Sequence, residues 1–105
     1  MARELILLPR FKRDFRTARK HPEFDSGTLE YVFDLLATDE PLPAAFREHP
    51  LRKRSVNLAG YLGCHLGADL ILLYRERPQS VVCHRIGTHA ELFSAEKKPK
   101  KRKSR

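Results

Sequence analysis

The spacing of apolar positions changes once along this chain, from intervals of three and four residues to short runs. Glu4 to Leu8 opens with a brief apolar run that predicts a strand. Pro9 follows, suited to the first turn of a helix because its missing N–H would have no partner there. Phe11, Phe15 and Ala18 then fall on one helical stripe, with Arg10, Lys12, Arg13, Arg16, Arg19 and Lys20 around the rest. His21-Pro22 ends this helix, since a residue before proline is pushed out of helical dihedrals. Asp25 or Ser26 caps a second helix, whose buried stripe is Leu29, Val32, Phe33 and Leu36. Asp39-Glu40-Pro41-Leu42-Pro43 stops it, and an irregular connection runs through Phe46, His49 and Leu51.

Beyond that point the runs are short and rich in Val, Ile, Leu and Tyr: Leu58 to Leu66, Leu70 to Arg75 and Ser80 to Ile86. The turns between them are too brief for crossovers, which favours antiparallel hairpins. The expected fold is α+β, in the order β-α-α-β-β-β, with two N-terminal helices packed on one face of a small antiparallel sheet. A length of 105 residues suits one domain. Residues 1–94 form it, and 95–105 form a basic tail expected to be disordered.

Charge changes the picture more by its distribution than by its sum. The formal net charge is +8, from 21 basic against 13 acidic side chains. Seven of the basic ones fall in Lys97–Arg105, which leaves a nearly neutral body of 14 against 13. That body is polarised. Residues 3–20 hold seven basic and two acidic groups, whereas residues 21–48 hold one and seven. One face can therefore attract phosphate, although a solvated helix face would look the same. No apolar stretch is long enough to span a bilayer, and the N-terminal run is too short for a secretory signal, so a cytoplasmic protein is expected. Cys64 and Cys83 lack the knuckle spacing of a zinc site; two reduced, buried thiols are expected, with no metal or cofactor.

Candidate chemistry gathers in two places. In Cys64-His65-Leu66-Gly67-Ala68-Asp69, a three-residue loop with Gly67 at positive φ would set His65 opposite Asp69. A plain surface ion pair would have the same sequence. In Arg85-Ile86-Gly87-Thr88-His89-Ala90-Glu91-Leu92-Phe93, Thr88 and Glu91 have the spacing of a capping box. A short helix would then start with His89 beside free backbone N–H groups, and Phe93 would share its face. Arg85 can supply a guanidinium for phosphate. A phosphate clamp, a titratable imidazole and a stacking ring are the parts needed to cut RNA through its own 2′-hydroxyl, without metal or nucleophilic side chain. A core plug at Phe93 and a simple helix cap at Thr88 remain open from these residues alone.

These segments also resemble a known family. Phe11-Lys12-Arg13-Asp14-Phe15, Leu42-Pro43, Glu48-His49-Pro50-Leu51, Gly60-Tyr61, Cys64-His65, Asp69, Leu70 to Tyr74 and Arg85 to Phe93 are similar, in order and spacing over residues 3–93, to the YafQ-type toxins of the RelE/ParE-like superfamily. The resemblance implies a microbial RNase fold and ribosome-dependent, metal-independent cleavage of mRNA. It further implies a RelB/DinJ-like antitoxin, in a hetero-oligomeric complex that can bind operator DNA. By motif position His49, His65, Asp69, Arg85 and His89 become catalytic: Arg85 on the scissile phosphate, His89 as general acid or base, and His65, supported by Asp69, or His49 as its counterpart. Phe93 and the basic run Arg52, Lys53 and Arg54 become substrate-binding. Leu58 stands where the pattern has tryptophan, Leu62-Gly63 where it has an arginine–acid pair, and Ala68 where it has proline. These departures weigh on substrate affinity rather than chemistry. The alternative is a catalytically weak relative that mainly binds antitoxin or nucleic acid within a repressor complex.

Overall fold

The N-terminal strand β1, Glu4–Leu7, leads directly into helix α1, Pro9–Ala18, with proline at the first helical position. A computed structural model of the chain describes residues 2–51 and 60–93. Helix α2, Ser26–Ala37, is capped by Asp25, whose carboxylate accepts the Thr28 N–H at 2.8 Å. At its other end Arg3 donates through Nε and Nη2 to the Leu36 carbonyl at 3.1 and 2.7 Å. A cation there also complements the helix dipole. A 3-10 turn, Ala44–Phe46, leads into the two-residue strand β2, His49–Pro50. Strands β3 (Leu62–His65), β4 (Ile71–Glu76) and β5 (Ser80–Gly87) precede the short helix α3, His89–Phe93.

The five strands form one sheet in the order β1-β5-β4-β3-β2. Three features depart from the sequence expectation. Where a run from Leu58 was expected, β3 begins at Leu62 with Gly60 in a turn before it, Leu58 itself lying outside the described residues. The sheet is mixed, because β1 lies parallel to β5, with Glu4 beside Ser80 and Leu7 beside Cys83. β2 adds an edge strand in what was expected to be an irregular connection, pairing His49 with Gly63 and Pro50 with Leu62. A two-residue pairing leaves no periodicity to read.

Alternation along β4 divides the core into two faces. Leu72 and Tyr74 join Phe11, Ala18, Val32, Leu36, Cys64, Val81, Cys83 and Ile86 beneath the helices. Ile71 and Leu73 pack with Leu92 on the opposite face, with Leu51 and Phe93 at its margin. Each fully buried Leu, Val or Phe contributes about 1.5–3 kcal/mol. In β5, Tyr74 pairs with Cys83 but Leu73 with Arg85, so His84 is the extra residue of a bulge. The bulge changes which β5 side chains face the helices: Cys83 and Ile86 both do.

Candidate active site

The open end of β3 and β5 brings three histidines together. The His65 ring, last in β3, lies 5.8 Å from that of His49 in β2 and 6.0 Å from that of His89 in α3. The His89 ring is in turn 5.8 Å from Phe93, one helical turn away. Thus four expected site residues, from three elements and over 44 positions of sequence, share one surface.

The local sequence explains how α3 is held. Thr88 and Glu91 make the reciprocal capping box: Glu91 Oε1 accepts the Thr88 N–H at 3.0 Å, and Thr88 Oγ1 accepts the Glu91 N–H at 3.1 Å. Gly87 leaves room for it: a Cβ there would stand 2.8 Å from Glu91 Oε1 and displace that carboxylate.

The acid of the site is partnered differently from the sequence expectation. Asp69 does not support His65. His65 pairs across the hairpin with Ile71, and the Leu66 and Gly67 N–H groups both donate to the Leu70 carbonyl, at 2.7 and 3.3 Å. The turn is therefore longer than three residues, and Asp69 reaches α3 instead. Its Oδ1 lies 3.0 Å from His89 Nδ1 and accepts the His89 backbone N–H at 3.1 Å. That N–H, expected to be free for phosphate, is already taken. Both His89 contacts hold the Asp69 carboxyl below the usual carboxylate range. Gly67 also lacks the expected positive φ, which among described glycines occurs only at Gly60. Gly67 is needed for space: a Cβ would meet Glu23 Oε1 at 2.7 Å, and that carboxylate accepts the Asp69 N–H at 2.9 Å.

His65 has Arg47 as its partner. The Arg47 Nη2 is 3.3 Å from His65 Nδ1. A guanidinium only donates, so Nδ1 is the unprotonated nitrogen in this arrangement. Burial, Arg47 and the neighbouring His49 and His89 rings lower the His65 pKa from its ordinary value, while the Gly67 backbone pulls it back. The Arg47 carbonyl in turn accepts from His49 Nδ1 at 2.9 Å. Arg47 was not singled out from sequence. Its only signal was its place beside Glu48-His49-Pro50-Leu51, a segment that Glu48 anchors by accepting from the Tyr74 hydroxyl. Burial, and then that contact, raise the tyrosine pKa.

Arg85 does not face an open cleft, as its expected role as a phosphate clamp required. Its Nε and Nη2 donate to the two carboxylate oxygens of Asp14 in α1, at 2.8 and 2.9 Å, and both side chains are more than four-fifths covered. Asp14 also accepts the Ile86 N–H at 3.3 Å, at an edge of β5 where pairing with β1 has ended. Arg52, Lys53, Arg54 and the basic tail lie outside the described residues.

On the other side of His49 a cleft of about 480 Å³ is lined by the carboxylates of Asp39, Glu40, Glu48 and Glu76. Asp39 and Glu76 are paired there with Arg3, and Glu48 accepts from the Tyr74 hydroxyl. Cys64 and Cys83 are free and buried, and burial pushes both thiols up to about 12, which keeps them unreactive. Among the described residues no three His, Cys, Asp or Glu groups are arranged to hold a metal ion. The Nδ1 atoms of His49, His65 and His89 are each engaged by protein groups. Nor is any described helix long and apolar enough to cross a membrane.

Comparison with known proteins agrees with this architecture. Residues 3–94 match the family model described as the bacterial toxin of type II toxin–antitoxin system, YafQ. The chain is 34% identical over 92 residues to the mRNA interferase toxin YafQ of Escherichia coli BL21-DE3, covering 87% of this chain and 96% of that one. The E. coli DinJ–YafQ complex is similar in structure, with a TM-score of 0.74 at 34% identity, covering 87% and 98% of the two chains. A metal-bound toxin from Helicobacter pylori matches with a TM-score of 0.74 at 33% identity, covering 89% and 100%. With most of its length matched in sequence and in fold, this chain belongs to the YafQ family of type II toxin–antitoxin toxins.

Proposed function

We propose that this chain is an endoribonuclease that cleaves mRNA on the ribosome by metal-independent attack of the RNA 2′-hydroxyl, and that a DinJ-like antitoxin restrains it. One observation carries the chemistry: His65 stands between His49 and His89 at ring separations of 5.8 and 6.0 Å, with His89 braced by Asp69. Two imidazoles so spaced can flank one phosphodiester.

His65, with its proton weakly held, takes the 2′-hydroxyl proton as general base. The O2′–P bond forms and the P–O5′ bond breaks. His89 in its protonated form keeps Nδ1–H on Asp69 and gives the Nε2 proton to O5′. His49, tied by Nδ1 to the Arg47 carbonyl, lines the approach from β2. Phe93 stacks on an adjacent base. Arg85 assists with the guanidinium donors that Asp14 leaves. The near-neutral body supports a need for the ribosome as platform, since it has little field of its own to gather RNA. The E. coli relative solved together with DinJ supports the antitoxin.

Cleavage products test the mechanism. Ribosomes carrying a defined mRNA, treated with the full chain, should yield ends with 2′,3′-cyclic phosphate or 3′-phosphate. His65→Ala or His89→Ala should slow the reaction by about 100-fold or more. Products with 3′-hydroxyl ends, or a stoichiometric catalytic metal in the active protein, would overturn it. Chelator controls must spare the magnesium that holds ribosomes together.

A further inference from the structure

The acid–base pair does not account for the charge that builds on phosphorus. Arg85 is weakened for that task, because its Nε–Nη2 edge is engaged by Asp14 and the two charges largely cancel. Arg47 is placed differently. It is exposed, and among the described residues no carboxylate lies within 4.0 Å of its guanidinium. It touches both neighbouring histidines, with its side chain on His65 and its carbonyl on His49.

Its backbone is also held where a side chain is disfavoured. Arg47 has φ 44° and ψ 51°, the left-handed region, which costs a residue with Cβ about 1–2 kcal/mol. The Arg47 N–H donates to the Ala44 carbonyl at 2.9 Å, and Glu48 is fastened to Tyr74. The fold thus imposes this conformation at a position where glycine would be more comfortable. Backbone geometry alone gives no reason for arginine there.

We propose that Arg47 is the second cation of the active site, a catalytic residue whose guanidinium contacts the scissile phosphate and orients the His65 ring. This rests on the endoribonuclease reading above. In the free protein the guanidinium covers His65 Nδ1. Phosphate oxygens, stronger acceptors than imidazole, draw its donors onto the substrate and uncover that lone pair. His65 Nδ1 then takes the 2′ proton while Arg47 stabilises the phosphorane. The chain thereby gains a cation beside His65 although its hairpin lacks the arginine expected after Tyr61.

The groups facing His65 define the pH behaviour. Arg47 lies at the end of the 3-10 turn, His49 in β2 and His89 in α3, with the Gly67 backbone in the following turn. The nearby carboxylates are engaged elsewhere: Asp69 on His89, and Glu23 on the Asp69 N–H. Removing Arg47 deletes one cause of the lowered pKa, so the His65 titration rises. A neutral base is lost as pH falls through its pKa, and the acid limb of the rate profile must move to higher pH.

Full-length Arg47→Gln, Arg47→Lys and Arg47→Gly separate the possibilities. We expect Arg47→Gln to lower kcat on ribosome-bound mRNA on the order of a hundredfold, with partial recovery in Arg47→Lys. Arg47→Gly should fold at least as stably as the parent and still lose cleavage, which a purely backbone role would not produce. The acid limb, and the His65 ring protons followed by NMR, should titrate at higher pH in the Gln and Gly variants. Parental rates in Arg47→Gly, or an unmoved His65 titration, would overturn the proposal. If the parent chain cleaves no RNA, the endoribonuclease reading falls, and Arg47 is judged on a non-cleavable 2′-deoxy oligonucleotide. Weaker binding by Arg47→Gln together with a shifted His65 titration supports its contact with phosphate; no change in either overturns it.

Discussion

Arg85 is asked to do two things with one guanidinium. The sequence points to phosphate, at the head of a Gly-Thr-His motif, whereas the structure spends one edge of the group on Asp14. Removing one partner of a largely covered pair strands the other, so Arg85→Ala should lower stability by about 2 kcal/mol as well as slow cleavage. Asp14→Asn should show a comparable loss in urea denaturation, without Arg85 being touched. An Arg85→Ala protein of parental stability would mean that the ion pair contributes nothing to the fold. Asp14 stands out as the one acid of α1, but nothing in the sequence names Arg85 as its partner, and Arg47 carries no motif of its own. Side chains that act through a partner far along the chain are the ones a linear reading misses.

Among the elements, α3 is the most dependent on local chemistry. Five residues cannot sustain a helix by propagation alone, so its termini and Leu92 must hold it. Glu91→Ala removes half of the capping box and should cost about 1 kcal/mol. It should also loosen His89 and Phe93 together, lowering kcat although Glu91 touches no substrate. Faster amide exchange at Thr88 alongside reduced cleavage checks this, and unchanged cleavage would show that Asp69 alone positions His89. Gly87→Ala should act in the same direction by displacing the Glu91 carboxylate. The capping box was legible because all its parts lie within four residues. The β5 bulge was not, because an extra residue in one strand is defined only against its partner.

At the scale of the molecule, the body has little net field of its own, because 14 basic side chains face 13 acidic ones outside Lys97–Arg105. Arg3, one of the seven N-terminal bases, is engaged at the end of α2 and by ion pairs with Asp39 and Glu76. The seven charges of Lys97–Arg105 therefore stand to supply most of the long-range attraction. Deleting residues 97–105 should weaken ribosome or RNA association and flatten its salt dependence, where each phosphate neutralised on a single strand contributes a slope of about −0.7. Cleavage at saturating substrate should persist, since His49, His65, Asp69, Arg85 and His89 all remain in the truncated chain. Unchanged binding across a salt series would remove the tail from RNA recognition, and cleavage lost at saturation would make it part of the site.

Periodicity and turn chemistry alone determined the two helices, a cap at Asp25 or Ser26, the capping box and the existence of the three last strands, because each depends on residues a few positions apart. The order of motifs determined the family, and with it which histidines belong together. Which acid serves which histidine was decided only by tertiary structure. Asp69 lies four positions from His65 and twenty from His89, yet the turn through Leu70 carries it to α3. The parallel edge of β1, the two-residue β2, the Arg85–Asp14 pair and the placing of Arg47 on His65 were decided in the same way. Each is a contact between distant segments, set by how the sheet closes over its two faces, and no local pattern encodes that closure.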